Sequence, residues 1–221
     1  MMKKLFGSIL LCFLLFSVAA QNSKPPFWDD IQAFKKKDSI QMPAKHQILF
    51  VGSSSFTKWT DVQDYFPGYP ILNRGFGGST LLDVIRYRED VIFKYDPKQI
   101  VIYCGENDFA YADTLSPATA VDRFKELFGY IRERYPKVPV AYVSMKPSAS
   151  RAKFLPRYVI ANQAIADFLS KQKKTAFIDV YHAMLDTDGN PIGDIFVEDH
   201  LHMNAKGYKI WQKIIAPYLL K

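Results

Sequence analysis

Five short runs of apolar, mostly β-branched residues alternate along this chain with longer segments in which apolar residues recur at helical spacing. The runs are residues 47–51, 71–72, 100–103, 138–143 and 176–180. Their lack of an apolar–polar alternation is the pattern of strands covered on both faces, which belongs to parallel sheets. Between them, a helix is expected over 81–94, capped by Thr80 or Ser79. Ser116 and Pro117 open another, along which Val121, Phe124, Leu127, Phe128 and Ile131 share one face. A third starts at Pro156 and runs through Ile160, Ala164, Ile165 and Phe168. Asn204 caps a last one with Ile210, Trp211, Ile214 and Ile215 inside. A further helix over 27–37 precedes the first strand. Strands alternating with helices predict an α/β chain, a three-layer α/β/α sandwich around a five-stranded parallel sheet. With no repeat, low-complexity stretch or linker, residues 21–221 read as a single domain. In such sheets ligands bind beyond the carboxyl ends of the strands, so chemistry is sought just after each one.

The first twenty residues stand outside this pattern. Lys3 and Lys4 precede an apolar run from 5 to 18, and Ala19 and Ala20 follow it, which is the form of a secretory signal peptide spanning 1–20. The run is too short and wrongly flanked for a spanning helix. Export to a periplasmic or extracellular location is therefore expected, with no stable membrane insertion after cleavage. Cys12 lies inside the run behind Leu11, a poor setting for lipidation. Cys104 is then alone, so no intramolecular disulfide can form, and its place at the end of an apolar run reads as a core thiol. The formal charge of +7 falls to +5 without the two leader lysines. Those cations are spread along the chain rather than in a stripe, which argues against nucleic acid as a partner.

Four segments after the strands carry groups that packing does not call for. Gly52-Ser53-Ser54-Ser55-Phe56 brings hydroxyls to a strand exit, where they suit a nucleophile or merely a helix cap. Asn73-Arg74-Gly75-Phe76-Gly77-Gly78-Ser79 has three glycines in four positions, so its N–H groups can approach an anion closely. It lacks the spacing of a dinucleotide fingerprint and the lysine of a phosphate loop. In Gly105-Glu106-Asn107-Asp108, Asn107 is expected to aim an amide N–H into the crevice and Asp108 to brace the loop. In Asp199-His200-Leu201-His202, the carboxylate three residues ahead of an imidazole can fix its tautomer and leave the other ring nitrogen as a base. A metal site on Asp199, His200 and His202 is the rival, weakened because His46 and His182 stand alone. Asp186-Thr187-Asp188-Gly189-Asn190 reads as a tight turn rather than a calcium loop, its glycine coming too early. Arg74, Lys146 and Arg151 are candidate crevice cations for an anionic or hydroxyl-rich substrate, and Phe109 and Tyr111 are candidate sugar-stacking rings or packing residues.

Taken in order, these four blocks resemble those of the SGNH, or GDSL-type, hydrolase family, over nearly the whole of residues 21–221. The resemblance implies a flavodoxin-like sandwich and a secreted ester or acyl hydrolase without metal or organic cofactor. It assigns Ser54 as nucleophile, with Ser55 the alternative, and His202 as base oriented by Asp199. The N–H groups of Ser54 and Gly78 and the Asn107 amide would form the oxyanion hole. Two residues depart from the family pattern: Ser53 stands where an aspartate is usual, and Ser79 follows the second-block glycine in place of another. The expected substrate is a small-molecule or glycan ester. Strand-end loops this short, the longest running from 145 to 156, favour a small acyl group such as acetyl, and the resemblance points to carbohydrate as its carrier. The alternatives are a lysophospholipase-like lipid esterase and a non-catalytic anion- or carbohydrate-binding module.

Overall fold

The computed structural model describes residues 24–221, so the expected leader lies outside the described residues, as does Cys12. Helix α1 (Trp28–Ile40) leads into β1 (Ile48–Gly52), the short helices α2 (Ser54–Thr57) and α3 (Val62–Tyr65), and β2 (Ile71–Gly75). Then come α4 (Leu81–Arg86), a π-helical turn over Glu89–Phe93, and β3 (Gln99–Tyr103). The chain continues through α5 (Glu106–Tyr111), α6 (Pro117–Arg134), β4 (Val140–Val143), α7 (Leu155–Ser170), β5 (Thr175–Ile178) and α8 (Ala205–Ile215). The strands form one parallel sheet in the order β2-β1-β3-β4-β5, with helices on both faces. Among the described residues no helix is long and apolar enough to cross a membrane.

Strand pleating sorts the side chains into two cores. Leu49, Val51, Ile100, Ile102 and Tyr142 face a layer that includes α1, α4, α6 and α7. Ile48, Phe50, Val101, Tyr103 and Val143 face the other, built on Phe56, Trp59, Tyr208 and Trp211 of the α2 and α8 side. Both faces of β1 and β3 are buried, which is why their sequence runs apolar without alternation.

Local capping chemistry sets several helix starts. The Ser116 hydroxyl accepts from the Thr119 N–H at 3.1 Å, and Asn204 Oδ1 accepts from Lys206 N–H at 2.8 Å. Thr80, not Ser79, caps α4, in a reciprocal box with Asp83. The continuous helix expected over 81–94 is instead interrupted at Tyr87 and resumes as the wider π turn. That extra width lets Tyr87, Val91 and Ile92 all face inward, and the Tyr87 hydroxyl donates to Pro26 O at 2.7 Å. Strand β2 runs on to Gly75, past the expected 71–72. Its polar residues have partners: Asn73 donates to Phe56 O, and Arg74 pairs with Asp38. Leu185 and Pro191 pair across the 186–190 segment, and Asp186 accepts the N–H groups of Asp188 and Asn190, the expected tight turn.

Candidate active site

The candidate nucleophile stands at a sharp strand exit. Gly52 has φ +137°, and a Cβ there would lie 1.9 Å from Tyr103 O, so only glycine allows β1 to run this close to β3. Beyond it the Ser53 N–H donates to Tyr103 O at 2.9 Å, and Ser53 O accepts from Phe56 at 3.0 Å, turning the chain directly into α2. Ser54 is thereby left partly exposed, whereas Ser55 is buried with its hydroxyl beside that of Tyr103.

The imidazole comes from the turn ahead of α8. Asp199 Oδ1 accepts the N–H groups of Leu201 at 2.9 Å and His202 at 2.8 Å, while Oδ2 meets His202 Nδ1 at 2.5 Å. His200 takes φ +51° to let the chain wrap the carboxylate, and its carbonyl accepts from Ser150 N–H and Oγ. His202 Nε2 lies 2.9 Å from Ser54 Oγ. With Nδ1 donating to Asp199, Nε2 is free to accept the serine proton. Partial burial works against the Asp199 charge, but the N–H bonds from His202 and Leu201 and the His202 ring hold its carboxyl well below the usual carboxylate range.

Gly78 lies in the loop after β2 with φ +89°. Neither its N–H nor that of Ser54 is bonded to an acceptor among the described residues. Asn107 differs from expectation: its amide is not open to the crevice but donates to Ser53 Oγ at 2.7 Å and Ser79 O at 3.1 Å. Ser53, in the position where the resembling family carries aspartate, thus holds the amide in place. Ser79 is buried and its hydroxyl donates to Gly52 O at 3.2 Å. Asp108 does brace the loop, accepting the Leu81 N–H at 2.9 Å and pairing with Arg123 at 2.7 Å. Burial raises its carboxyl pKa even so. Cys104 is a buried thiol, and burial with Asp108 nearby pushes its pKa well up, the reverse of what a cysteine nucleophile needs.

Two expected crevice cations are elsewhere. Arg74 is buried, bonded to Asp38 at 2.5 Å with its guanidinium over the Phe34 and Tyr95 rings. Lys146 is 1% exposed and pairs with Glu106 at 3.2 Å. Both sit at strand ends but point inward, because a buried carboxylate from a distant segment claims them. Arg151 is partly exposed and has no ion pair among the described residues. Phe109 is fully buried against Tyr158, whereas Tyr111 is 67% exposed.

His182 does not stand alone. Asp179 Oδ1 accepts the N–H groups of Tyr181 and His182, and Oδ2 meets His182 Nδ1 at 2.6 Å, a second copy of the Asp199–His202 turn. Its spacing was visible as a second Asp-x-x-His. This pair follows β5 at the sheet's edge and opens on a cavity that Val159, Gln163, Phe177 and Tyr181 also line and that holds no serine, threonine or cysteine. His182→Gln is therefore expected to leave ester hydrolysis within about two-fold of the parent, while His202→Gln lowers kcat by ~10³-fold or more. Steady-state rates of the two variants check this. Among the described residues no three His, Cys, Asp or Glu side chains are grouped as a metal site.

The sequence pattern of the GDSL-like Lipase/Acylhydrolase family matches residues 50–210. No protein of curated function matches the chain. A presumed platelet activating factor from Streptococcus pneumonia superposes with a TM-score of 0.75 at 20% identity, over 87% of this chain and 92% of that one. A GDSL-like lipase from Bacteroides thetaiotaomicron gives 0.70 at 18%, over 85% and 96%. A carbohydrate esterase family 3 protein from Talaromyces cellulolyticus gives 0.60 at 15%, over 78% and 95%. At such identities these likenesses speak for the fold, and the family match supplies the rest: the chain belongs to the GDSL-like lipase/acylhydrolase family and is an ester hydrolase.

Proposed function

We propose that this chain is an exported serine esterase in which Ser54, His202 and Asp199 act as a catalytic triad on esters of short acyl groups, O-acetyl groups on carbohydrate foremost. The observation that carries the reading is the line of contacts from Ser54 Oγ through the His202 ring to Asp199, joining residues 148 positions apart. His202 Nε2 takes the Ser54 proton as Oγ bonds to the ester carbonyl carbon. The carbonyl electron pair moves to oxygen, which the Ser54 and Gly78 N–H groups stabilise. Asn107 joins them by exchanging Ser53 Oγ for the substrate oxygen. The tetrahedral carbon collapses, the C–O bond to the alcohol breaks, and Nε2–H protonates the leaving oxygen. Water repeats the sequence on the acyl-enzyme, releasing the carboxylic acid and restoring Ser54. No step calls on a metal or organic cofactor.

Asp199 is expected to stay ionised on acidification because its carboxyl pKa is depressed, so its protonation adds no further proton to the acid limb of kcat/KM. An acid limb steeper than slope 1 that returns to slope 1 in Asp199→Asn contradicts this.

Three features support a short acyl group on a neutral, hydroxyl-rich alcohol. The segment from 145 to 156 is folded down, with Met145, Lys146 and Ser148 buried, and it braces the His202 turn instead of forming an acyl tunnel. Arg74 and Lys146 are spent in internal ion pairs, which removes two cations that a phosphate headgroup would want. The similarity in fold to a carbohydrate esterase agrees. The test is a panel of acetylated glycans, lysophospholipids and acetyl to octanoyl esters, with Ser54→Ala as control. Release of acetate from glycans with rates falling along the acyl series is expected, and rates rising with chain length would overturn the preference.

A further inference from the structure

Tyr111 is a large, exposed aromatic at the end of α5, the helix that carries Asn107. Its hydroxyl leans over Gly78, only 3.1 Å from where a Cβ on that glycine would be, and no hydrogen bond engages it among the described residues. Phe27 stands beside it, with Cε1 3.5 Å from the same point. Phe27 is held there by its edge contact with Phe76, ring centroids 5.4 Å apart, and by the Tyr87 hydroxyl bonded to Pro26 O. A pair of rings thus overhangs the glycine whose backbone N–H is proposed to face the developing oxyanion, although nothing in the core needs Tyr111.

The two sides of the sheet decide which part of a substrate these rings meet. His202 belongs to the α8 side, where Met203 and Tyr208 pack with Phe56 and Trp211. Phe27, Phe76 and Phe109 belong to the opposite core. The leaving oxygen must lie toward His202 to receive its proton, and the carbonyl oxygen lies between the N–H donors. The remaining substituent on the carbon, the acyl group, then points away from His202, toward Phe27 and Tyr111. We infer that Tyr111, backed by Phe27, is the wall that limits acyl length and is a specificity-determining residue of this enzyme. This rests on the triad reading above and adds to it the residue that selects the acyl group.

The test compares kcat/KM for p-nitrophenyl acetate and butyrate in the parent chain, Tyr111→Ala, Tyr111→Phe and Phe27→Ala, with Ser54→Ala as control. One or two methylenes in an apolar site change rates by ~10-fold or more. The butyrate-to-acetate ratio is therefore expected to rise by about that factor in Tyr111→Ala, less in Phe27→Ala, and to stay near the parent value in Tyr111→Phe, which keeps the ring. An active Tyr111→Ala with an unchanged ratio overturns the wall and leaves the triad reading intact. Hydrolysis that survives in Ser54→Ala at close to the parent rate overturns the triad reading, and the wall with it.

Discussion

Ser54→Ala is expected to lower ester hydrolysis by ~10⁴-fold or more, and to abolish labelling by a fluorophosphonate, without changing the thermal midpoint by more than a few degrees. The side chain is partly exposed and, among the described residues, its hydroxyl meets only His202, at 2.9 Å, so little packing is lost. On the proposed mechanism, what goes is the oxygen that becomes acylated. The Ser54 and Gly78 N–H groups remain and still polarise a bound carbonyl, so a residual rate above that of water is expected. Ser55→Ala is the matched control, since Ser55 is buried away from His202. Intact mass after labelling separates the two: an adduct on Ser55→Ala and none on Ser54→Ala is the expected pair of results. The reverse pattern would move the nucleophile to Ser55.

The largest effect on stability is expected from Lys146→Ala. Glu106 is buried, accepting from the Lys146 N–H at 2.9 Å, from the Tyr103 hydroxyl, and from Lys146 Nζ at 3.2 Å. Truncating the lysine leaves a buried carboxylate without its cation, which costs about 3–5 kcal/mol. For a domain of this size that is a fall in Tm of roughly 6–20 °C. Glu106→Gln combined with Lys146→Met removes both charges while keeping volume, and should recover most of the loss. Urea unfolding of the single and double variants measures this, and a double variant no better than Lys146→Ala would show that the charge is not the cause. Glu106 also precedes Asn107, so the single variant is expected to lose kcat as the proposed oxyanion donor loosens.

The crevice cations show where sequence reasoning reaches its limit. Arg74 and Lys146 follow or end strands, the positions at which side chains commonly face a ligand. The carboxylates that claim them, Asp38 and Glu106, lie 36 and 40 residues away, and nothing near either cation announces them. Asn107 was identified by its block, but its bond to Ser53 joins residues 54 positions apart and depends on β1 and β3 being neighbours. The break in the helix at Tyr87 was equally hidden: it accompanies a hydroxyl bond to Pro26 O, 61 positions away in the chain.

Strand and helix alternation, the caps at Ser116 and Asn204, and the carboxylate-wrapped turn of Asp-x-x-His were all determined by the sequence itself. Each depends on bonds and periodicities within a few residues, so the chain writes them locally. That turn, however, is written twice, at Asp179–His182 and at Asp199–His202, with nearly the same hydrogen bonds. Only the tertiary structure decided which imidazole meets Ser54. The sheet order puts one pair at the far edge and lets the segment before α8 return over β1, and a contact between residues so distant in the chain has no local signature.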